Sequence, residues 1–350
     1  MEGKLRVLEA DQQSYETDSG ESTETTSLSP SITGYIFENG RRYNSKYHEG
    51  YYAFPNDERE NSRMELVHHV YTSLFNGRQY FAPLRNLKRV LDIGTGTGNW
   101  AIDMADTHRD TAIIGTDISP IQPSWSPPNL KFEIDDAESD WNFASDSFDY
   151  VHFRHLIGSI ADWPRLIKQS YDALKPGAWI EGQECYFYPT SDDSSLPENS
   201  AFKRWHDLLT EASIKANRRL LTAAKIRGWF VDAGFVDVVE TVIRLPNGAW
   251  PKDPRLKEIG GYQMSALLDG LDAISLSLFT HTLGWKIEDV NSFLTEVKVD
   301  LKNKKIHSYY PVSVLPFTAL SEACNTSTDR GQTCDLWAKT SVIFFSLFLV

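Results

Sequence analysis

The stretch Asp92-Ile93-Gly94-Thr95-Gly96-Thr97-Gly98 is where residue type and spacing in this chain most directly imply chemistry. Arg89-Val90-Leu91-Asp92-Ile93 reads as a buried strand leading into it, and Trp100, Ala101, Met104 and Ala105 follow at helical spacing. Glycines between a strand end and a helix start let the backbone approach a ligand closely. The spacing discriminates among ligands. A dinucleotide fingerprint needs G-x-G-x-x-G, but Gly98 and Asn99 follow Thr97; a phosphate loop needs Gly-Lys-Ser/Thr, and no lysine follows. Asp92 would repel a pyrophosphate, whereas it suits a ligand carrying an ammonium and a sulfonium.

Further acids follow at successive strand ends. Asp117 closes the run Ala112-Ile113-Ile114-Gly115-Thr116-Asp117, 19 residues beyond Gly98, where a carboxylate can accept both hydroxyls of a ribose. Asp135-Asp136-Ala137-Glu138 follows a third apolar run, and a side-chain acceptor there suits an adenine amino group. One such acid alone reads as a helix cap or loop acid. Three together, with the charge pattern, point to S-adenosylmethionine, and the candidate contacts are Asp92, Gly94, Thr95, Gly96, Asp117, Ile118, Asp135, Asp136, Ala137 and Arg154. Arg154 either meets the cofactor carboxylate or pairs with a surface acid. His155 is the one catalytic candidate, as a general base; the alternative is a histidine packed at the sheet edge. No cysteine or acid at ligand spacing completes a zinc site with His152 and His155. Trp125, between Pro123 and Pro127-Pro128, is placed near the adenosine end. Methyl transfer from a sulfonium needs alignment and exclusion of water more than acid–base chemistry, consistent with the absence of an evident catalytic pair.

The elements that must hold these residues are short apolar runs alternating with helical periodicity between residues 89 and 184, which implies parallel βαβ units in an open sheet. Upstream, Asn56 or Asp57 caps a helix through Met64, Leu66, Val67, Val70, Leu74 and Phe75, with Gly77 as its stop. Downstream, residues 202–214 and 226–233 read as helices, and a strand starts at Gly234-Phe235-Val236. Asp253-Pro254 opens a helical segment to about residue 303 that Gly270 and Gly284 divide, apolar enough to serve as a lid.

Composition narrows the class. Of 350 residues 41% are hydrophobic and 24% charged, as in ordinary globular chains, and the net charge of -13 repels a phosphate backbone, so no nucleic-acid partner is expected. The short Lys302-Asn303-Lys304-Lys305 cluster reads as a solvated helix end. Three cysteines, Cys185, Cys324 and Cys334, are no disulfide framework. Without a secretory signal or a membrane-spanning run, the expectation is a cytoplasmic or nuclear protein with no membrane partner. Residues 1–33, rich in Ser, Thr and acids, are expected to be disordered.

Several motifs resemble the fungal LaeA-like methyltransferases associated with secondary metabolism: FPNDE (54–58), VLDIGTGTGNW (90–100), GTDISPIQPSWSPP (115–128), FEIDDAE (132–138), GSIADWP (158–164), LKPGAWIE (174–181), WPKDPRLKEIG (250–260) and DLKNKKIHSYYP (300–311). The resemblance spans residues 34–312. It implies a doubly wound Rossmann-like class I methyltransferase sheet, with an N-terminal helix and a C-terminal helical lid, using S-adenosylmethionine. The core would occupy residues 85–245 and the helical cap 250–305. It further implies a small-molecule methyl acceptor, or a regulatory protein acting on gene clusters through protein partners, with the acidic N-terminus as a docking tail. The chain departs from the family pattern in the basic turn Asn217-Arg218-Arg219 and beyond Pro311. Residues 313–350 read as an atypical tail from a shifted frame or retained intron, which would leave the last strand incomplete and a neighbouring sheet edge exposed.

Overall fold

The computed structural model describes residues 34–45, 52–236 and 240–319. A short hairpin, β1 (Ile36–Glu38) and β2 (Arg41–Tyr43), precedes helix α1 (Glu58–Leu74). Asp57 caps α1, its Oδ1 accepting from the Glu60 amide at 2.9 Å, and Val67, Val70, Tyr71 and Leu74 form the buried stripe that the spacing predicts. The alternating region follows as β3 (Arg89–Ile93), α2 (Asn99–Thr107), β4 (Ala112–Asp117), β5 (Leu130–Ile134), β6 (Phe148–Arg154), α3 (Trp163–Ala173) and β7 (Leu174–Cys185). Then come α4 (Ala201–Lys215), α5 (Ala223–Ala233), β8 (Thr241–Pro246), α6 (Pro254–Ser277), a π-helical turn (Leu278–Thr282), α7 (Ile287–Leu301) and β9 (Tyr309–Thr318).

Seven strands form one sheet in the order β5-β4-β3-β6-β7-β9-β8, with β9 antiparallel to both neighbours and β3 to β7 parallel. Strands β4 and β5 lie on one side of β3, and β6 and β7 on the other. The chain therefore reverses direction at β3, and a crevice opens at the carboxyl ends of β3, β4 and β6. The expected α/β class and wound order are present.

Three expectations about elements need correction. Gly270 does not divide the cap: α6 runs through it, and a Cβ there would lie 2.9 Å from Cδ of Arg63, so the glycine admits the side chain of a crossing helix. Gly284 (φ +73) does separate the turn from α7. The strand expected from Gly234 begins at Thr241; Val236 makes only an isolated bridge to Thr318, and residues 237–239 lie outside the described residues.

The largest correction concerns β9. It continues past residue 312 to Thr318, paired to β7 from Cys185↔Val312 through Trp179↔Thr318, and to β8 from Pro246↔Tyr309 through Thr241↔Val314. Val312, Val314, Leu315 and Phe317 are fully buried. The domain therefore extends six residues beyond the boundary drawn at 312, the last strand is whole, and β9 covers the neighbouring edge. Burial from both sides places it, although Pro316 removes a ladder donor from a central strand. The expected disordered segment 1–33, Cys324, Cys334 and the tail from residue 320 fall outside the described residues.

Candidate functional site

The glycine loop takes its shape from three positive backbone angles, Gly94 (φ +63), Gly96 (φ +59) and Gly98 (φ +84). Gly98 serves as N-cap of α2 in the left-handed region, and a Cβ on it would meet the Phe132 ring at 2.4 Å, so side-chain-free backbone is required there. Gly96 differs. Nothing lies within 4 Å of where its Cβ would be, because that face opens into the crevice.

Two acids, the buried Asp92 and the half-buried Asp117, hold the loop. Asp92 Oδ2 accepts from the Thr95 hydroxyl at 2.6 Å, and its Oδ1 lies 2.7 Å from Nδ1 of His152 on the adjacent strand. The carboxylate only accepts, so the imidazole donates from Nδ1; burial lowers the His152 pKa despite the acid and keeps the ring neutral. The Trp100 indole stacks on that imidazole, centroids 3.6 Å apart and planes 6° from parallel. Asp117 accepts from the Gly96 amide at 2.8 Å and the Ser119 amide at 2.9 Å. Burial pushes its pKa up to about 6, against the opposing effect of those two amides.

A cleft runs from this polar end to an apolar one. At the polar end lie Gly94, Gly96, Asp117, Ile118, Asp135, Asp136 and Ala137. Arg154 and His155 border the middle, and Val67, Tyr71, Phe187, Leu220, Leu267 and Ile274 lie toward α1 and α6. A smaller adjoining recess is bordered by Asp92, Thr95, His68 and Trp100, and shares Gly94, Gly96, Arg154 and His155 with the cleft.

A family profile described as a methyltransferase domain matches residues 66–240. The chain is 43% identical to "Methyltransferase pytC" of Aspergillus terreus, over 88% of this chain and 94% of that protein. It is 37% identical to "Secondary metabolism regulator LAE1" of Cochliobolus heterostrophus over 81% of this chain and 95% of that one. It is 33% identical to "Protein-methionine methyltransferase laeA" of Emericella nidulans, over 78% and 73%. The chain belongs to the methyltransferase-domain family. It is a LaeA-like methyltransferase, as the sequence motifs imply.

The methyltransferase gathers all ten candidate cofactor positions around the cleft or its recess: Gly94, Gly96 and Arg154 border both, Asp92 and Thr95 only the recess. Asp92 has both oxygens engaged within the chain and is almost fully buried. Among the described residues Arg154 makes no direct ion pair with an acid; its Nη2 lies 2.8 Å from Nδ1 of His68, whose Nε2 is 3.0 Å from the surface carboxylate of Asp103. His155 does border the cleft, but burial, then Arg63 and Arg154, push its pKa down to about 3. That makes it a poor general base. Trp125 stands apart: it is 70% exposed and does not border the cleft. Gln122 pins its loop to the Gly96 and Ser119 carbonyls, turning Ile121 inward and leaving Trp125 outside.

Several residues that hold the cleft in place were not foreseen as doing so, and Glu184 among them does not itself border it. Asn44 donates to the Ile118 carbonyl at 3.0 Å, and Asn56 to the Ser119 hydroxyl at 3.3 Å, so the segment ahead of α1 is tied across the β4 end. Glu184 at the end of β7 accepts from the Leu156 amide at 2.8 Å, and burial pushes its pKa up to about 8. Arg218, from the basic turn, meets Glu138 at 2.7 Å, so its charge serves an internal pair. Only the FPND run and the unusual arginine were visible in one dimension.

Proposed function

We propose that the chain transfers a methyl group from S-adenosylmethionine to a small molecule bound between α1 and α6. The observation that carries this reading is the continuity of one cleft, with glycine backbone and acids at one end and apolar side chains at the other. The residues suit the cofactor. The open face of Gly96 leaves a cradle that a Cβ would fill, and Asp117 keeps lone pairs beyond those used by its two amides for a ribose diol. Asp135 and Asp136 supply acceptors for an adenine amino group, Ile118 and Ala137 line the base, and Arg154 neutralises the carboxylate. Asp92 acts through the loop it shapes. S-adenosylmethionine supplies a methyl group already activated on sulfur, so the protein's share is alignment and exclusion of water.

Calorimetric titration of the full chain with S-adenosylhomocysteine, beside Asp117→Ala, tests this. Saturable binding that is lost in the variant is expected; absence of binding by folded protein would overturn it. A second reading, regulation of secondary-metabolite gene clusters through protein partners, is favoured by the 37% identity to a protein named as such a regulator. Turnover of a small acceptor without stable capture of a partner separates the two. Among the described residues no helix is long and apolar enough to cross a membrane.

A further inference from the structure

Helix α6 turns one stripe of side chains toward the cleft: Gln263, Ala266, Leu267 and Ile274 all border it, at the spacing of a single helix face. The helix runs antiparallel to α1. Arg63 fits beside Gly270, the His69 and Tyr262 rings meet edge to face at 4.9 Å between centroids, and Arg255 donates to the Ser73 and Leu74 carbonyls at 2.7 and 2.8 Å. That register sets Gln263 opposite the turn of α1 that carries Val67 and Tyr71, which border the cleft as well.

Gln263 is the polar exception in this stripe. It is only 7% exposed, and among the described residues nothing hydrogen-bonds its carboxamide. Buried carboxamides ordinarily have partners. Other polar side chains bordering the cleft do: Glu60 holds Arg63 through both oxygens, Asn56 meets Ser119, and Glu138 meets Arg218. Among the described residues the Tyr71 hydroxyl also lacks a partner, but it is sealed from solvent, whereas the Gln263 nitrogen and oxygen are not. A leucine would complete the apolar wall; a carboxamide there loses hydration with no protein bond in exchange.

We infer that Gln263 is a specificity-determining residue for the methyl acceptor, its carboxamide hydrogen-bonding an uncharged oxygen, carbonyl or hydroxyl, on an otherwise apolar molecule lying against α6. This rests on the methyltransferase reading of the cleft. A carboxamide both donates and accepts, so it serves either oxygen function, but it carries no charge to balance an ion. Its neighbours on the same face, Ala266 and Leu267, are apolar and add none. A molecule of the same shape without the oxygen leaves the buried amide unpartnered and binds more weakly.

The test uses the full chain saturated with S-adenosylhomocysteine, whose own binding is measured first and reports on the cofactor reading alone. Calorimetry then compares acetylnaphthalene with isopropenylnaphthalene, in which a methylene group replaces the carbonyl oxygen, and naphthylethanol with isopropylnaphthalene, in which a methyl group replaces the hydroxyl. In at least one pair the oxygen compound should bind about tenfold more tightly. Gln263→Leu should abolish that preference while S-adenosylhomocysteine affinity stays unchanged. Its midpoint of thermal denaturation should equal or exceed the parent's, because the variant gives up no hydrogen bond within the protein. Four results would overturn the inference: no preference in either pair, a preference that survives Gln263→Leu, no binding of any probe by protein that binds S-adenosylhomocysteine, or a Gln263→Leu protein with a markedly lowered midpoint.

Discussion

Nδ1 of His152 lies 2.7 Å from Oδ1 of Asp92 across the β3–β6 pair, and this contact turns the acid ahead of the glycine loop into the sheet. The other oxygen takes the Thr95 hydroxyl, so one carboxylate ties strand, loop and neighbouring strand together. His152→Ala leaves that buried carboxylate short of a donor, at a cost of roughly 1–3 kcal/mol. Urea denaturation should report the loss, and calorimetry a weaker S-adenosylhomocysteine complex although His152 lies outside the main cleft. Unchanged binding in the variant would show that the loop does not depend on the pair.

Gly96 and Gly98 should separate binding from folding. Gly96→Ala strains a left-handed position but meets no neighbour, so a folded protein that binds cofactor poorly is expected, since the methyl group enters the cradle. Gly98→Ala adds a collision with Phe132 to similar strain and should lower stability by about 1–3 kcal/mol. Thermal denaturation and calorimetry on both variants check the contrast.

Asp117 makes cofactor binding depend on pH. Its carboxyl, raised to about 6 by burial, is largely protonated at pH 5 and ionised at pH 7. Hydroxyl donors favour the ionised form, so affinity should rise as pH increases through about 6 and then level off, with proton release on binding below that point. Calorimetry in buffers of different ionisation enthalpy measures the released proton. Asp117→Asn should bind more weakly and show no such rise.

Glu184 gives a stability signature. Its folded pKa of about 8 exceeds the ordinary value of 4.5, so the folded state holds its proton more tightly than the unfolded state. Stability from this group is present below about pH 4.5 and declines as pH rises toward about 8. Glu184→Gln keeps an acceptor for the Leu156 amide and cannot ionise. It should match the parent in acid and exceed it near pH 8 in chemical denaturation; a parallel decline would place the titration elsewhere.

Phe317 tests the reassigned strand. It is fully buried in β9 and stacks on Phe230 at 3.9 Å between centroids. Phe317→Ala should cost about 3–5 kcal/mol, read as a lowered denaturation midpoint. A near-neutral effect would return residues beyond 312 to the tail.

The amino-acid sequence by itself determined the elements whose information is local. The run Arg89-Val90-Leu91-Asp92-Ile93, the three alternating glycines and the acids at 117, 135 and 136 lie within short windows, and the parallel sheet and the crevice follow from their order. Caps at Asp57 and Asp253 were legible because a side chain three residues from an amide is a local relation. Tertiary structure decided what depends on distant partners. Gly270 lies inside a helix, where its missing Cβ makes room for Arg63, His155 loses its basicity to burial and two guanidinium groups, and Trp125 stays outside because Gln122 pins its loop to Gly96. Residues 313–318 form a strand because β7 and β8 flank them, a pairing that no window around Pro316 contains. Burial and electric field are sums over the folded chain, so they exist only once the far residues have come together.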